Sequence, residues 1–150
     1  MKSTLLFFLT ILLFSCKQSE NLKGNLYFKL INLTSPSGLT DEQALNIENI
    51  INSMSSNKKN KELVDYYKKA IKHDLLKNPY LQLETEDGIK KVYLSFKEYD
   101  KIKHFKLSEL QEKSKKVVVE LNANEFEKDL FYSEEIILIQ EVDGKTPWQK

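Results

Sequence analysis

Tyr80-Leu81-Gln82-Leu83-Glu84-Thr85-Glu86-Asp87-Gly88-Ile89-Lys90-Lys91-Val92-Tyr93-Leu94-Ser95-Phe96 is the stretch that decides the fold. Leu81, Leu83 and Thr85 alternate with polar or smaller-demand neighbours, the period of a strand with one buried face. Asp87-Gly88 supplies a tight turn, and Val92, Leu94 and Phe96 alternate back. Two alternating runs around such a turn predict a β-hairpin, and a lone hairpin must find more strands or a helix to cover its apolar face.

On the N-terminal side the period is helical. Asn78-Pro79 stops a run in which Leu63, Val64, Tyr67, Ala70, Ile71 and Leu75 share one helix face. A polar turn at 55–60 separates it from an earlier helix bearing Ala44, Ile47, Ile50, Ile51 and Met54 on one face. That helix opens with Thr40-Asp41-Glu42-Gln43, a hydroxyl at the cap with Gln three residues on. A short connection predicts that the two helices pack as an antiparallel pair. Pro36-Ser37-Gly38 breaks the chain before them, and Asn25 to Leu33, with Leu26, Phe28 and Leu30 on one face, predicts a first strand.

On the C-terminal side, Ser95-Phe96-Lys97-Glu98 is a second capping box, opening a short helix with Tyr99 and Ile102 inward. Another helical turn or two follows around Ser108 to Lys113. Val117 to Leu121 is a β-branched strand, and Phe131 to Val142 a long last one ending at Asp143-Gly144. Its apolar run from Ile136 to Ile139 implies burial on both faces, or on one face with a helix over the other. The order predicts an α+β domain: one antiparallel sheet with an antiparallel helix pair inserted after the first strand. A small β-barrel built from the strands after Pro79, with the helices outside, is the alternative.

The leader opens with Met1-Lys2 and continues as an apolar run from Leu5 to Phe14, broken only by Thr10. One charge ahead of a short apolar stretch is the layout of a secretory signal. A spanning helix needs about 20 apolar residues, so this run is too short to cross a bilayer. Ordinary signal cleavage needs small residues at alternate positions, and no alanine stands there. Instead Leu13-Phe14-Ser15-Cys16 resembles the lipobox of bacterial lipoproteins, with an aliphatic, a variable and a small residue before the cysteine. The resemblance implies cleavage between Ser15 and Cys16, a diacylglycerol on the Cys16 thiol, and a further acyl chain such as palmitate on the freed amine. Two or more chains hold a protein on a membrane where one binds only marginally.

The resemblance ends with the cysteine and says nothing of the folded part. In that class a residue other than Asp after the cysteine, here Lys17, implies the outer membrane of a bacterial cell envelope. The domain plan is then a signal peptide at 1–15, a lipidated cysteine and tether at 16–24, and a single globular α+β domain at 25–150. Lys17-Gln18-Ser19-Glu20-Asn21 and Leu22-Lys23-Gly24 read as the tether. Eight extended residues would hold the domain up to about 28 Å from the lipid.

Composition excludes more than it selects. In 150 residues the 23 basic side chains face 22 acidic ones, a net charge of +1 that becomes 0 once Lys2 leaves with the leader. Every one of the basic residues is a lysine, so no planar guanidinium fork exists to grip phosphate bidentately. Nucleic-acid binding is disfavoured on both counts. The four glycines, at 24, 38, 88 and 144, are too scattered for a phosphate loop, and no Gly-x-Ser-x-Gly elbow occurs. Cys16 is the lone cysteine, so no intrachain disulfide forms. Nothing calls for a cofactor or a resident metal.

The candidates for chemistry are few. His73 and His104 read as solvated surface side chains. Glu84, Glu86 and Asp87 at the hairpin tip, and Glu125, Glu127 and Asp129 before the last strand, read as polar turns. A facing pair among them would suit carboxylate-based hydrolysis. Charge is segregated: 57–72 holds six lysines against Glu62 and Asp65, and 120–135 holds six acids against Lys128. The expected outcome is packing of the basic helix beside the acidic loop, with partner steering as the alternative. Trp148 is expected to staple the C-terminus to the core. The functional expectation is a lipid-anchored, non-enzymatic binding or interaction protein with an unknown partner or ligand. A hydrolase and an inhibitor or immunity protein are the alternatives.

Overall fold

The chain runs β1 (Ser19–Leu26), α1 (Asp41–Met54), α2 (Lys61–Lys72), β2 (Tyr80–Thr85), β3 (Gly88–Leu94), α3 (Phe96–Asp100), α4 (Leu107–Glu112), β4 (Lys115–Glu127) and β5 (Leu130–Asp143). This computed structural model describes residues 19–28, 34–54 and 58–146. The leader 1–15, Cys16 and Trp148 lie outside the described residues.

The hairpin forms, with Leu81 opposite Val92 and Thr85 opposite Gly88. The two turn residues are therefore Glu86 and Asp87, one step earlier than the sequence suggested. Gly88 opens β3 at φ +111°, a conformation that strains any L side chain. Phe96 leaves the alternation, sits 60% exposed and begins α3. The Ser95 hydroxyl accepts from the Glu98 amide at 3.3 Å and ends the strand as a helix cap. The first capping box is complete: the Gln43 amide donates to Thr40 Oγ1 at 3.2 Å and the Thr40 amide to Gln43 Oε1 at 3.0 Å.

The five strands form one sheet that closes on itself in the order β1-β2-β3-β5-β4. The domain is α+β with the helix pair between β1 and β2, as expected. One pairing differs from the antiparallel expectation. β3 and β5 run parallel through Val92–Phe131, Tyr93–Tyr132 and Leu94–Ser133, which makes the sheet mixed. The connection between them, through α3, α4 and β4, is long enough to bring β5 back in the same direction.

β1 starts six residues before the position expected from periodicity, because Ser19 to Asn25 pair continuously with β4 from Asn124 to Val118. Ser19 to Gly24, read from composition as tether, belong to the folded domain. Polar side chains concealed the strand. Only Leu22 and Leu26 are buried along it, and Gly24 is required because a Cβ there would meet the Glu84 carbonyl oxygen at 2.6 Å.

The described residues pack into two apolar cores. Inside the ring lie Leu22, Leu81, Leu83, Val92, Leu94, Val117, Val119, Leu121 and Phe131, with Ile102 and Leu110 reaching in from the α3–α4 region. The second core lies between the outer face of the sheet and the helix pair, and joins Ile51, Val64, Tyr67 and Ala70 to Tyr80, Tyr93 and Leu130. On α1 the inward face is narrower than expected, since Ile50 is 44% exposed while Ile51 is fully buried. On β5, Ile136 is buried but Ile137 is 48% exposed, so the run 136–139 is covered on one face only. Ile137 is the extra residue of a bulge, for Leu121 pairs with Ile136 and Glu120 with Leu138.

Candidate functional site

Strand alternation sends Lys90 to the inside of the ring and Lys91 to the outside. The outside at that point is roofed by α2, so Lys91 is only 9% exposed. Its ammonium lies over four tyrosine rings: Tyr80 at 3.9 Å, Tyr93 at 4.8 Å, Tyr67 at 5.4 Å and Tyr66 at 5.5 Å. Tyr80 and Tyr93 face each other across the hairpin, and Tyr66 and Tyr67 come from α2. Lys91 Nζ donates to Thr34 Oγ1 at 3.2 Å, and the Tyr80 hydroxyl donates to the Thr34 carbonyl at 2.9 Å.

Among the described residues no carboxylate pairs with Lys91. Burial lowers its pKa from 10.5 to about 7, because the amine loses water and gains no anion in exchange. Burial also pushes the phenols of Tyr66 and Tyr93 well above their ordinary value, so both stay protonated. The hydroxyls of these two tyrosines are buried close to each other, and neither has another hydrogen-bond partner among the described residues. An uncharged lysine amine is a nucleophile toward carbonyl carbon, and an amine titrating near neutrality also exchanges protons. Here the amine is enclosed by rings and by Thr34. Enclosed in this way, the amine has its titration coupled to folding. Sequence reasoning missed it. Its signal was Tyr80, Lys91 and Tyr93 on one side of the hairpin, opposite the Tyr66-Tyr67 pair.

The acidic candidates stay on separate hairpins. The cleft holding Glu84 and Glu86 is completed by Lys23, Gly24, Asn25, Thr85 and Val118, with no acid from 125–129. Glu125 Oε1 accepts from the Asp129 amide at 2.9 Å, closing the β4–β5 turn, where Asp129 takes φ 65°. Glu127 accepts from Lys72 at 2.7 Å and lies 2.9 Å from His73 Nε2. Hydrogen bonds from Lys72 and His73 hold the Glu127 carboxyl below the usual carboxylate range.

His73 is thus no free surface side chain. It caps the end of α2, faces Glu127 and stacks on Phe126 at 5.2 Å, and Phe126 stacks on Tyr132 at 6.0 Å. Lys69 Nζ adds a bond to the Lys128 carbonyl at 3.1 Å. The basic helix and the acidic loop meet within the chain, and Lys23–Glu120 at 3.3 Å occupies another acid of that segment. His104 is exposed beside Phe105. Among the described residues no three of His, Cys, Asp and Glu gather to hold a metal ion.

A buried carboxylate does occur where none was sought. Glu98, 2% exposed, accepts from Lys101 Nζ at 2.6 Å and from the Ile136 amide at 2.7 Å. Burial works to raise its pKa, but these two hydrogen bonds and the Lys101 and Lys97 charges outweigh it and hold the carboxyl below the ordinary value. Its role is to bind α3 to the bulge in β5.

An apolar concavity of about 280 Å³ opens where α3 meets the β1–β2 edge, with Leu26, Tyr27, Phe28, Tyr99, Ile102 and Phe105 among its lining and Lys103 beside them. It is suited to an apolar or aromatic group with a negative or polar end near Lys103. The chain matches no protein-family model, and comparison with curated proteins and with solved structures finds no match.

Proposed function

We propose that the chain is a lipid-anchored protein of the bacterial cell envelope that works by contact with a partner or ligand rather than by catalysis. The observation that carries the anchor is Leu13-Phe14-Ser15-Cys16 at the end of the apolar run from Leu5. The contact reading is supported by the acids of 84–87 and 125–129, which serve turns and ion pairs on separate hairpins, and by the aromatic cleft beside α3. No helix among the described residues is long and apolar enough to cross a membrane.

The test is metabolic labelling with a palmitate analogue and membrane fractionation, with Cys16→Ser beside the wild type. Label and membrane association in the wild type, both lost in the variant, are expected. A variant that fractionates with membranes just as the wild type does overturns the anchor. Protease treatment of intact cells then tells which side of the envelope carries the domain.

A further inference from the structure

Cys16 stands three residues before Ser19, and Ser19 is already in β1 opposite Asn124 of β4. Three extended residues span about 10 Å, not the roughly 28 Å of a free tether. The lipid therefore leaves the domain from one identifiable end of the ring. At that end β4 turns into β5 through Lys128 and Asp129. Lys90, near the start of β3, reaches Glu20 at 3.7 Å and covers the Phe131 ring at 4.9 Å. Ile89 beside it is 48% exposed. The last turn of α2 arrives at the same place, through Lys69 to the Lys128 carbonyl and Lys72 to Glu127.

We infer that this end, made by the β4–β5 turn, the β2–β3 tip at Ile89 and the last turn of α2, lies against the lipid headgroups. The inference rests on the lipid anchor proposed above. Charge does not drive the contact, because Lys69, Lys72, Lys90 and Lys128 are matched by Glu20, Glu125, Glu127 and Asp129. Tether length does. The short link leaves the domain no radius in which to turn over, while exposed Ile89 and the lysine stems suit the boundary between headgroup and acyl chain. The opposite end of β4, with α4 just before it, stands as much as about 40 Å away along the strand and faces outward. The aromatic cleft bordered by α3 lies toward that outward end.

The experiment uses the full lipidated chain purified from bacterial membranes and reconstituted in vesicles of phosphatidylethanolamine and phosphatidylglycerol. Cys16 carries lipid, so a single fluorophore goes on Lys128→Cys or on Glu109→Cys, both exposed positions. A headgroup-attached nitroxide lipid is the quencher. Strong quenching at Lys128→Cys and little at Glu109→Cys is expected. A flexible Gly/Ser insert of about twelve residues after Lys17, long enough to reach about 40 Å, should abolish the difference while the protein still floats with the vesicles. Equal quenching at both positions with the native link, or stronger quenching at Glu109→Cys, overturns the orientation. If the unmodified chain fails to float with vesicles at all, the anchor falls, and the orientation falls with it.

Discussion

Lys91→Met should stabilise the protein at mildly acidic pH and remove most of the rise in stability that the wild type gains with pH. The Lys91 pKa falls from 10.5 to about 7 on folding, through burial under α2. Between those values the unfolded chain binds the proton and the folded chain does not, so stability rises with pH. The gain is complete above the unfolded value, is lost as pH falls toward 7, and is flat below. At about 1.36 kcal/mol per pH unit the full span is roughly 5 kcal/mol. The four rings oppose it, since a desolvated aromatic contact with an ammonium is worth about 0.5–2 kcal/mol, and a span of about 2–4 kcal/mol remains. Methionine fills similar volume without charge, at the loss of one hydrogen bond to Thr34 worth about 1 kcal/mol. Urea unfolding followed by circular dichroism, from about pH 6 to about pH 9.5, reads both chains; other titrating groups are common to the two and cancel in the difference. The two curves should converge as pH rises. Parallel curves, or a variant less stable at pH 6, would refute the reasoning and give the cage to cation–π attraction instead.

Four further outcomes follow from contacts of different kinds. Tyr93→Phe removes a buried hydroxyl whose hydrogen-bonding neighbour is the equally buried Tyr66 hydroxyl, and should leave stability within about 1 kcal/mol of the wild type in the same urea assay; a larger loss would mean that the two hydroxyls form a strong bond. Glu98→Ala leaves the buried Ile136 amide without its acceptor and should cost about 1–3 kcal/mol. Because the Glu98 pKa is depressed in the fold, its contribution is present above the ordinary carboxylate value and is lost as pH falls; acid unfolding should therefore begin at higher pH in Glu98→Gln, unless the carboxylate is irrelevant. Gly24→Ala drives a methyl against the Glu84 carbonyl oxygen at 2.6 Å, and should lower the thermal midpoint by an amount matching about 1–3 kcal/mol. An unchanged midpoint would mean that β1 and β2 separate there at little cost.

How much of this could be read from residues alone depended on which side of each strand was covered. The hairpin and both helices were legible, because Leu81, Leu83, Val92 and Leu94 alternate and Val64, Tyr67 and Ala70 recur at helical spacing. The start of β1 was not. Ser19-Glu20-Asn21 carries no apolar pattern, and its strand exists because β4 supplies a continuous ladder. The parallel β3–β5 pairing leaves no local trace either, since direction is decided by what joins the strands. Lys91 was invisible for the opposite reason: a lysine at an outward strand position normally meets water, and only the helix pair over that face turns it into a buried cation. His73 was misread on the same ground, as Glu127 and Phe126 reach it from the end of β4, more than fifty positions away.

The closed ring has two narrow seams. β1 meets β2 through Asn25–Glu84 and Leu26–Leu83, with the Tyr27 amide bonded to the Gln82 carbonyl, whereas β3 meets β5 only from Val92 to Leu94. The ladders of β1 with β4 and of β4 with β5 run much further. In amide hydrogen exchange the molecule should then open as two cooperative units: the β2–β3 hairpin with the helices that cover it, and the slab of β1, β4 and β5. The slab joins residues about a hundred positions apart, so it pays a large loop-closure entropy and should form late in folding, after the local hairpin. In the folded protein the order of protection is reversed, with the slowest exchange in β4, the strand that has long ladders on both sides.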